Sequence, residues 1–161
     1  MASRRKGRIL AFQALFSWDF RYNETGSVSI PEGLFDFSWS EKNITQDEEM
    51  TAFSRLLISG TVENIKAIDS MIEKHLDNWE LKRLNRVDLA VLRMSVYTLM
   101  FQPEMHPSIV IDEAIDISKE FGTDDSYRFV NGVLDSVRKS LSSSEESAAQ
   151  KPKEPGDFIP K

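Results

Sequence analysis

Apolar residues recur every three or four positions along most of the chain, which is the spacing of amphipathic helices. Between Ile109 and Leu141 this spacing predicts two helices that meet at a tight corner. Pro107 suits the first turn of the first helix, and Gly122 suits the position after its last turn. The apolar stripe of the first helix contains Val110, Ala114, Ile117 and Phe121, and that of the second contains Val130, Val133, Leu134, Val137 and Leu141.

The same spacing predicts further helices over Arg4 to Tyr22, Asp47 to Leu76 and Asn85 to Phe101. The second of these contains Gly60, where we expect one long helix to bend. The third is apolar on nearly all sides, so we expect it to lie at the centre of the fold. Because helical spacing dominates over strand alternation, the sequence predicts an all-α fold, a compact bundle of about six or seven helices.

The composition changes after Leu141, where Ser, Glu, Lys and Pro become frequent and apolar residues become rare. A chain of 161 residues is long enough for one domain with a substantial core. We therefore predict a single helical domain over residues 1–141 and a disordered tail over residues 142–161.

Positive charge is concentrated at the start of the chain, although the formal net charge of the whole is −6. Arg4, Arg5, Lys6 and Arg8 place four positive charges in the first eight residues, leaving 16 basic and 26 acidic residues in the rest. Cations at a helix N-terminus oppose the helix dipole, which favours a functional reason for them. Such a patch on an acidic body attracts a polyanion to one place. A solubilising N-terminus and a transit peptide are the alternatives.

Phe129 lies beside the apolar stripe of the last predicted helix, one turn before Gly132. A glycine in the middle of a helix costs about 1 kcal/mol relative to alanine, so it calls for a packing or a functional reason. In one interpretation Phe129 is an exposed contact for a ligand. In the other, Phe129 packs on a neighbouring helix and Gly132 relieves a tight helix crossing. The residues alone leave both interpretations open.

The sequence contains none of the common nucleotide-binding, metalloprotease or serine-hydrolase motifs. It has no cysteine, and its two histidines, His75 and His106, are far apart, which argues against a metal centre. No apolar run is long enough to span a membrane. We therefore predict no catalytic residue, cofactor or metal, with an active site assembled only by the fold as the alternative. A basic patch with a stacking aromatic is the combination that binds single-stranded RNA.

Three motifs follow one another along the chain. Basic residues and then A-x-Q-A-L-F-x-W span Arg4 to Trp18, and A-V-L-R spans Ala90 to Arg93. The third motif, I-D-E-A-I-D-I-S-K-E-F-G-T-D-D-S-Y-R-F-V-N-G-V-L-D, spans Ile111 to Asp135. In sequence and in order these motifs resemble the NusB family of bacterial transcription antitermination factors.

The resemblance implies an all-helical, cytoplasmic protein that is not an enzyme. It also implies recognition of single-stranded boxA-like RNA together with NusE, a small-subunit ribosomal protein, in transcription complexes that support ribosomal RNA synthesis. By resemblance the RNA contacts are Arg4, Arg5, Lys6, Arg8, Asp125, Arg128 and Phe129. The positions that face NusE are Phe16 and Asp88, which we expect to be accessible. Many family members have tyrosine in place of Phe16, so a hydrogen bond from that hydroxyl is absent here.

Other functions remain open at this point. One is a structural homodimer or protein-interaction module whose interface hides the basic patch. Another is the N-terminal RNA-binding part of a ribosomal RNA cytosine methyltransferase, which we disfavour because no cofactor-binding domain follows in this chain. A third is a helix-turn-helix DNA-binding protein, given the corner at Gly122. The next helix, however, begins T-D-D, whose acids repel phosphates.

Overall fold

The computed structural model describes residues 2–40, 47–77 and 80–150. These residues form seven α-helices, one 3-10 turn and no strand, which confirms the predicted all-α bundle. The elements are α1 (Ala2–Thr25), α2 (Glu32–Phe35), α3 (Glu48–Glu63), α4 (Ile65–Lys74), the 3-10 turn (Leu81–Arg83), α5 (Arg86–Phe101), α6 (Pro107–Phe121) and α7 (Ser126–Gln150).

Helix α5 lies at the centre of the bundle and packs against α1, α3, α4, α6 and α7. Every residue from Asp88 to Thr98 is buried, which confirms the predicted central position of this helix. Helix α1 covers α3 and α5, while α6 and α7 pair with each other on another side of α5. The largest fully buried side chains come from all of these layers, among them Trp18, Ile58, Leu92, Ile117 and Leu134.

Local capping explains where the central helices begin and end. The Asn85 side chain accepts a hydrogen bond from the Val87 amide at 2.8 Å and so caps α5. Gly122 follows the last turn of α6, as predicted, with a φ of −94°, which lies outside the left-handed region that glycine often takes at this position. A Cβ at this position would lie 2.5 Å from the Ser126 hydroxyl oxygen. Glycine is therefore needed here because the start of α7 packs closely against the corner.

The segment predicted as one long helix bent at Gly60 is instead two helices, so that prediction is wrong. The break between α3 and α4 lies at Asn64, whose side-chain amide donates to the Gly60 carbonyl at 2.8 Å. Gly60 itself lies inside α3, where a Cβ would overlap the ring of Tyr97 on α5. The glycine thus permits a close helix crossing and does not bend the chain.

Helix α7 continues nine residues beyond Leu141, to Gln150. The predicted start of the tail at Ser142 therefore falls inside a helix. No glycine or proline interrupts the sequence between Ser142 and Gln150, so nothing in it stops the helix at the end of the apolar stripe. Disorder over the rest of the tail, residues 151–161, stays a prediction, because these residues lie outside the described part of the chain.

A buried ion network joins α1, α4 and α5. Arg93 donates to Asp19 at 2.6 Å and makes two hydrogen bonds of 2.9 Å with the carboxylate of Asp69. Arg86 donates to the other oxygen of Asp19 at 2.5 Å. Burial raises the pKa of Asp69 even though the Arg93 guanidinium acts in the opposite direction. The network fixes the C-terminal half of α1 against the start of α5.

Candidate nucleic-acid interface

The first two turns of α1 carry the basic residues predicted to bind RNA. Arg4, Arg5 and Lys6 are exposed. Arg5 lies 3.4 Å from a carboxylate oxygen of Asp116 on α6, but both side chains are open to solvent. An exposed ion pair of this kind contributes little to stability and is easily exchanged for another anion. Three cations are thus available together at one end of α1.

Arg8 differs from its three basic neighbours because it is only 7% exposed. Its guanidinium carbon lies 5.4 Å from the centre of the Phe53 ring on α3, and that of Arg4 lies 4.6 Å from the same ring. Burial lowers the pKa of Arg8, and the nearby Glu113 carboxylate opposes this effect. The Arg8 side chain therefore packs within the fold, and the predicted patch of four accessible cations is reduced to three.

The second predicted set lies at the start of α7. Asp125 and Arg128 are exposed, and Phe129 is partly buried against the core. The Arg128 guanidinium donates to the Tyr127 hydroxyl at 3.0 Å, and this bond raises the pKa of Arg128. The ring of Tyr127 also carries the Lys119 ammonium 5.0 Å from its centre. Cations and aromatic rings therefore alternate at this end of the bundle.

Gly132 and Phe129 lie next to the same open groove on α7. A Cβ at Gly132 would meet no atom within 4 Å, so the glycine does not relieve a tight crossing, and that interpretation is wrong. Phe129 does pack on the core, yet it also lines an open groove together with Gly132. Phe129 thus contributes both to the core and to the wall of the groove.

The basic start of α1 and the start of α7 remain two separate clusters. Among the described residues, no hydrogen bond or ion pair joins them. Helix α6 lies between them in sequence and contacts α1. Asp116 pairs with Arg5, and Phe121 packs on Phe12 with ring centres 5.3 Å apart. Helix α6, which also packs on α7, therefore connects the N-terminal part of α1 with the start of α7.

The predicted partner residues differ in accessibility. Phe16 is partly buried on α1, whereas Asp88 in the first turn of α5 is only 7% exposed. The expectation that Asp88 is accessible is therefore wrong. Its Oδ1 atom is buried without a hydrogen-bond partner, and burial raises its pKa against the effect of the nearby Ser126 hydroxyl. The start of α7, which contains Ser126, brings about part of this burial.

Phe20 is the exposed residue of this surface that the sequence did not indicate. It is 52% exposed and lies edge-on to Phe16, with ring centres 5.2 Å apart. The Arg86 guanidinium carbon lies 5.8 Å from the centre of the Phe20 ring. Phe16 and Phe20 are four residues apart, so they lie on the same side of α1. This spacing is the feature of the sequence that could have indicated Phe20 as part of the surface. We name Phe16, Phe20 and Arg86 the aromatic face.

Two further features bear on the kind of protein this is. Within the described ranges, no helix combines the length and the apolar character needed to cross a membrane. The same residues contain no group of three or more histidine or acidic side chains placed to hold a metal ion.

A model of the NusB family matches residues 5–139. The chain belongs to the NusB family. The transcription antitermination protein NusB of Treponema denticola is 50% identical over 135 residues, which cover 84% of this chain and 95% of that protein. NusB of T. maritima is 36% identical, with a TM-score of 0.68 over 84% of this chain and 90% of that one.

A crystal structure of antitermination factors NusB and NusE in complex with double-stranded RNA contains another similar chain. That chain is 33% identical, with a TM-score of 0.74 over 87% of this chain and 98% of its own length. The relatives are thus NusB proteins in both sequence and fold, and the described helices are those of a NusB-family bundle.

Sequence reasoning about this NusB-family chain missed residues that lie far away in sequence. Phe53 on α3 is the ring beneath Arg4 and Arg8, and Asp116 on α6 is the acid that pairs with Arg5. His75, at the end of α4, contacts the Ser136 hydroxyl in the middle part of α7, at 2.7 Å. These are contacts between helices, so helical spacing within one segment carries no signal for them.

Proposed function

We propose that this protein is an RNA-binding adaptor of transcription antitermination that holds boxA-like single-stranded RNA together with NusE. It acts in the cytoplasm, within a transcription complex, and supports ribosomal RNA synthesis without catalysing a reaction. The observation that carries this proposal is the exposure of Arg4, Arg5 and Lys6 at one end of α1, in a chain whose net charge is −6.

The chemistry of the two clusters supports RNA as the polyanion. Exposed Arg and Lys side chains bind phosphates, while a partly exposed ring such as Phe129 stacks on an unpaired base. Arg128 adds a cation beside this ring, and the acid at Asp125 disfavours indiscriminate contact with phosphates. The relative in the NusB–NusE complex was crystallised with double-stranded RNA. Bases in a duplex are not free to stack on a ring, so we favour a single strand here.

The aromatic face supports a protein partner on a different side of the domain. The large apolar side chain of Phe20 is about half exposed to solvent, and the Arg86 guanidinium lies next to its ring. Aromatic residues and arginine are enriched in the energetically important parts of protein interfaces. The NusB relative in the solved complex binds NusE, so we assign NusE to this face. Phe16, rather than the buried Asp88, is then the predicted contact on the same surface.

A binding panel tests the proposed function. Fluorescence anisotropy would compare a boxA-like single strand, a scrambled single strand, duplex RNA and duplex DNA, each with and without purified NusE. We expect the boxA-like strand to bind most tightly and NusE to increase that affinity. Equal affinity for all four nucleic acids, or no binding to any, would overturn the proposal. The homodimer alternative predicts a dimer in sedimentation experiments that does not dissociate when RNA is added.

A further inference from the structure

A long groove runs along α1 on the side that faces α2. It consists of two adjoining depressions of about 850 Å³ and 380 Å³, which share Ser17, Leu34 and Trp39 as lining residues. Its floor includes a stripe of α1 whose members are three or four residues apart, namely Lys6, Ile9, Gln13, Ser17 and Arg21. At about 1.5 Å per residue, this stripe is about 22 Å long. No residue of the aromatic face lines the groove, so it is separate from the surface assigned to NusE.

The wall opposite α1 is apolar and held in place. Trp39 is 42% exposed, and its ring lies edge-on to that of Phe37 with ring centres 5.7 Å apart. Phe37 is fully buried and so anchors this part of the chain in the core. The Arg55 side chain donates to the Phe35 carbonyl at 3.0 Å, which ties the same segment to α3. Trp39 therefore presents a supported apolar surface to solvent, and contiguous exposed apolar surface is typical of interaction sites.

Positive charge lies at both ends of the groove. Lys6 is exposed at one end, and Arg21 is exposed at the other. Within the described ranges, neither side chain takes part in an ion pair. No acidic side chain is among the described residues that line the groove, although the whole chain contains 26 acidic residues. The groove thus favours an acidic partner and disfavours a basic one.

We propose that this groove binds an amphipathic helix of a partner protein, with apolar residues facing α1 and acidic residues at both ends. A helix of about 15 residues matches the length of the stripe. Its apolar face packs between Ile9 and Trp39, and its terminal carboxylates pair with Lys6 and Arg21. An RNA strand fits less well, because it carries a phosphate at every nucleotide and the groove is apolar between its two cations. The inference adds a third surface to those proposed for RNA and NusE.

A designed peptide serves as the probe. It has about 16 residues, a leucine stripe at helical spacing and two glutamates at each end, and its binding is followed by fluorescence anisotropy. One comparison peptide has lysine in place of each glutamate. The other has the same composition in an order that breaks the stripe. We expect the acidic amphipathic peptide to bind about tenfold or more tightly than either comparison peptide.

Charge reversal at Arg21 tests the electrostatic part of the proposal. Arg21 is chosen because Lys6 also belongs to the cations proposed to bind RNA. Arg21→Glu should weaken the acidic peptide about threefold or more and strengthen the lysine peptide, since the sign of the charge at that end is reversed. The matched control is Lys66→Glu, which reverses an exposed charge on α4 outside the groove and should change neither affinity by more than about twofold.

Two substitutions test the groove itself. Trp39→Ala removes the apolar wall and should weaken the acidic peptide about tenfold or more. Leu56→Ala is its control, because Leu56 is a 49% exposed apolar residue on α3 that does not line the groove. Ser17→Glu places an acid in the groove at an exposed position and leaves the contact of Trp39 with Phe37 intact. It should also weaken the acidic peptide, so the test does not depend on the folding of Trp39→Ala.

The possible results distinguish this inference from the proposed function. The inference is wrong if the three peptides bind alike, if none binds, or if Ser17→Glu and Arg21→Glu bind the acidic peptide as wild type does. A loss of boxA-like RNA affinity in Trp39→Ala, with peptide binding unchanged, would assign the groove to RNA instead. A dimer that Ser17→Glu dissociates, in a protein that binds no peptide, would assign it to a second copy of the chain. None of these results changes RNA or NusE binding by the wild-type protein, which tests the proposed function separately.

Discussion

The substitution Arg93→Met tests whether the buried ion network stabilises the bundle. Arg93 is 4% exposed and Asp19 is 2% exposed, so both charges are removed from water. Methionine keeps most of the apolar stem and removes the guanidinium. Asp19 then retains only Arg86, and Asp69 loses both of its hydrogen bonds from Arg93.

Leaving a buried carboxylate without its partner costs about 3–5 kcal/mol, so we expect a loss of that size in the free energy of unfolding. Urea unfolding followed by circular dichroism measures it. With a slope of about 2 kcal/mol per molar urea, the midpoint should fall by about 1.5–2.5 M. The control is Lys139→Met, which removes a 71% exposed partner of Asp135 and should change the free energy by less than about 0.5 kcal/mol.

The pH dependence of the Arg93→Met defect gives a second check. Burial raises the pKa of Asp69 in the intact network, and removing the guanidinium leaves that effect unopposed. The folded variant then binds a proton at pH values where the unfolded chain does not, so folding becomes more favourable as the pH falls. The difference from wild type should be smaller near pH 4.5 than at pH 7.5. A defect below 1 kcal/mol, or one independent of pH, would refute this reasoning.

Three other substitutions test the packing and the partner surface. Gly60→Ala places a methyl group against the Tyr97 ring and should cost about 1–3 kcal/mol in the same urea titration; an unchanged midpoint would contradict the close crossing. Phe20→Ser should leave the midpoint unchanged but weaken NusE binding about fivefold or more by calorimetry, and equal affinity would remove Phe20 from the interface. Asp88→Lys should lower the midpoint, since the position is 7% exposed, and a stable variant would show that the site opens easily.

Helical spacing predicted the bundle well because each helix buries a stripe that can be read from one segment. The central position of α5 followed from its apolar residues on all sides. The break at Asn64 could not be predicted in this way, since the apolar spacing continues across it. The bend was predicted at Gly60 instead. Glycine is needed there because the ring of Tyr97, on another helix, occupies the space of a Cβ.

The candidate site was predictable in position but not in exposure. The sequence places the cations at the start of α1, and three of the four are exposed. It does not reveal that Phe53 and its neighbours bury Arg8, or that the start of α7 lies close to Asp88. Both effects depend on how helices from distant segments pack. Residue type therefore identified the chemistry, and only the tertiary contacts identified which side chains a ligand can reach.

The salt dependence of RNA affinity shows whether the cations at the start of α1 bind phosphates. Arg4, Arg5 and Lys6 are replaced together by alanine, and affinity for the boxA-like strand is measured over a series of salt concentrations. If each cation binds one phosphate, the slope of log affinity against log salt falls by about 0.7 × 3, or roughly 2 units. Arg8→Met, which keeps an apolar side chain on Phe53, should leave the slope unchanged. A triple variant with the wild-type slope would contradict RNA binding at the start of α1.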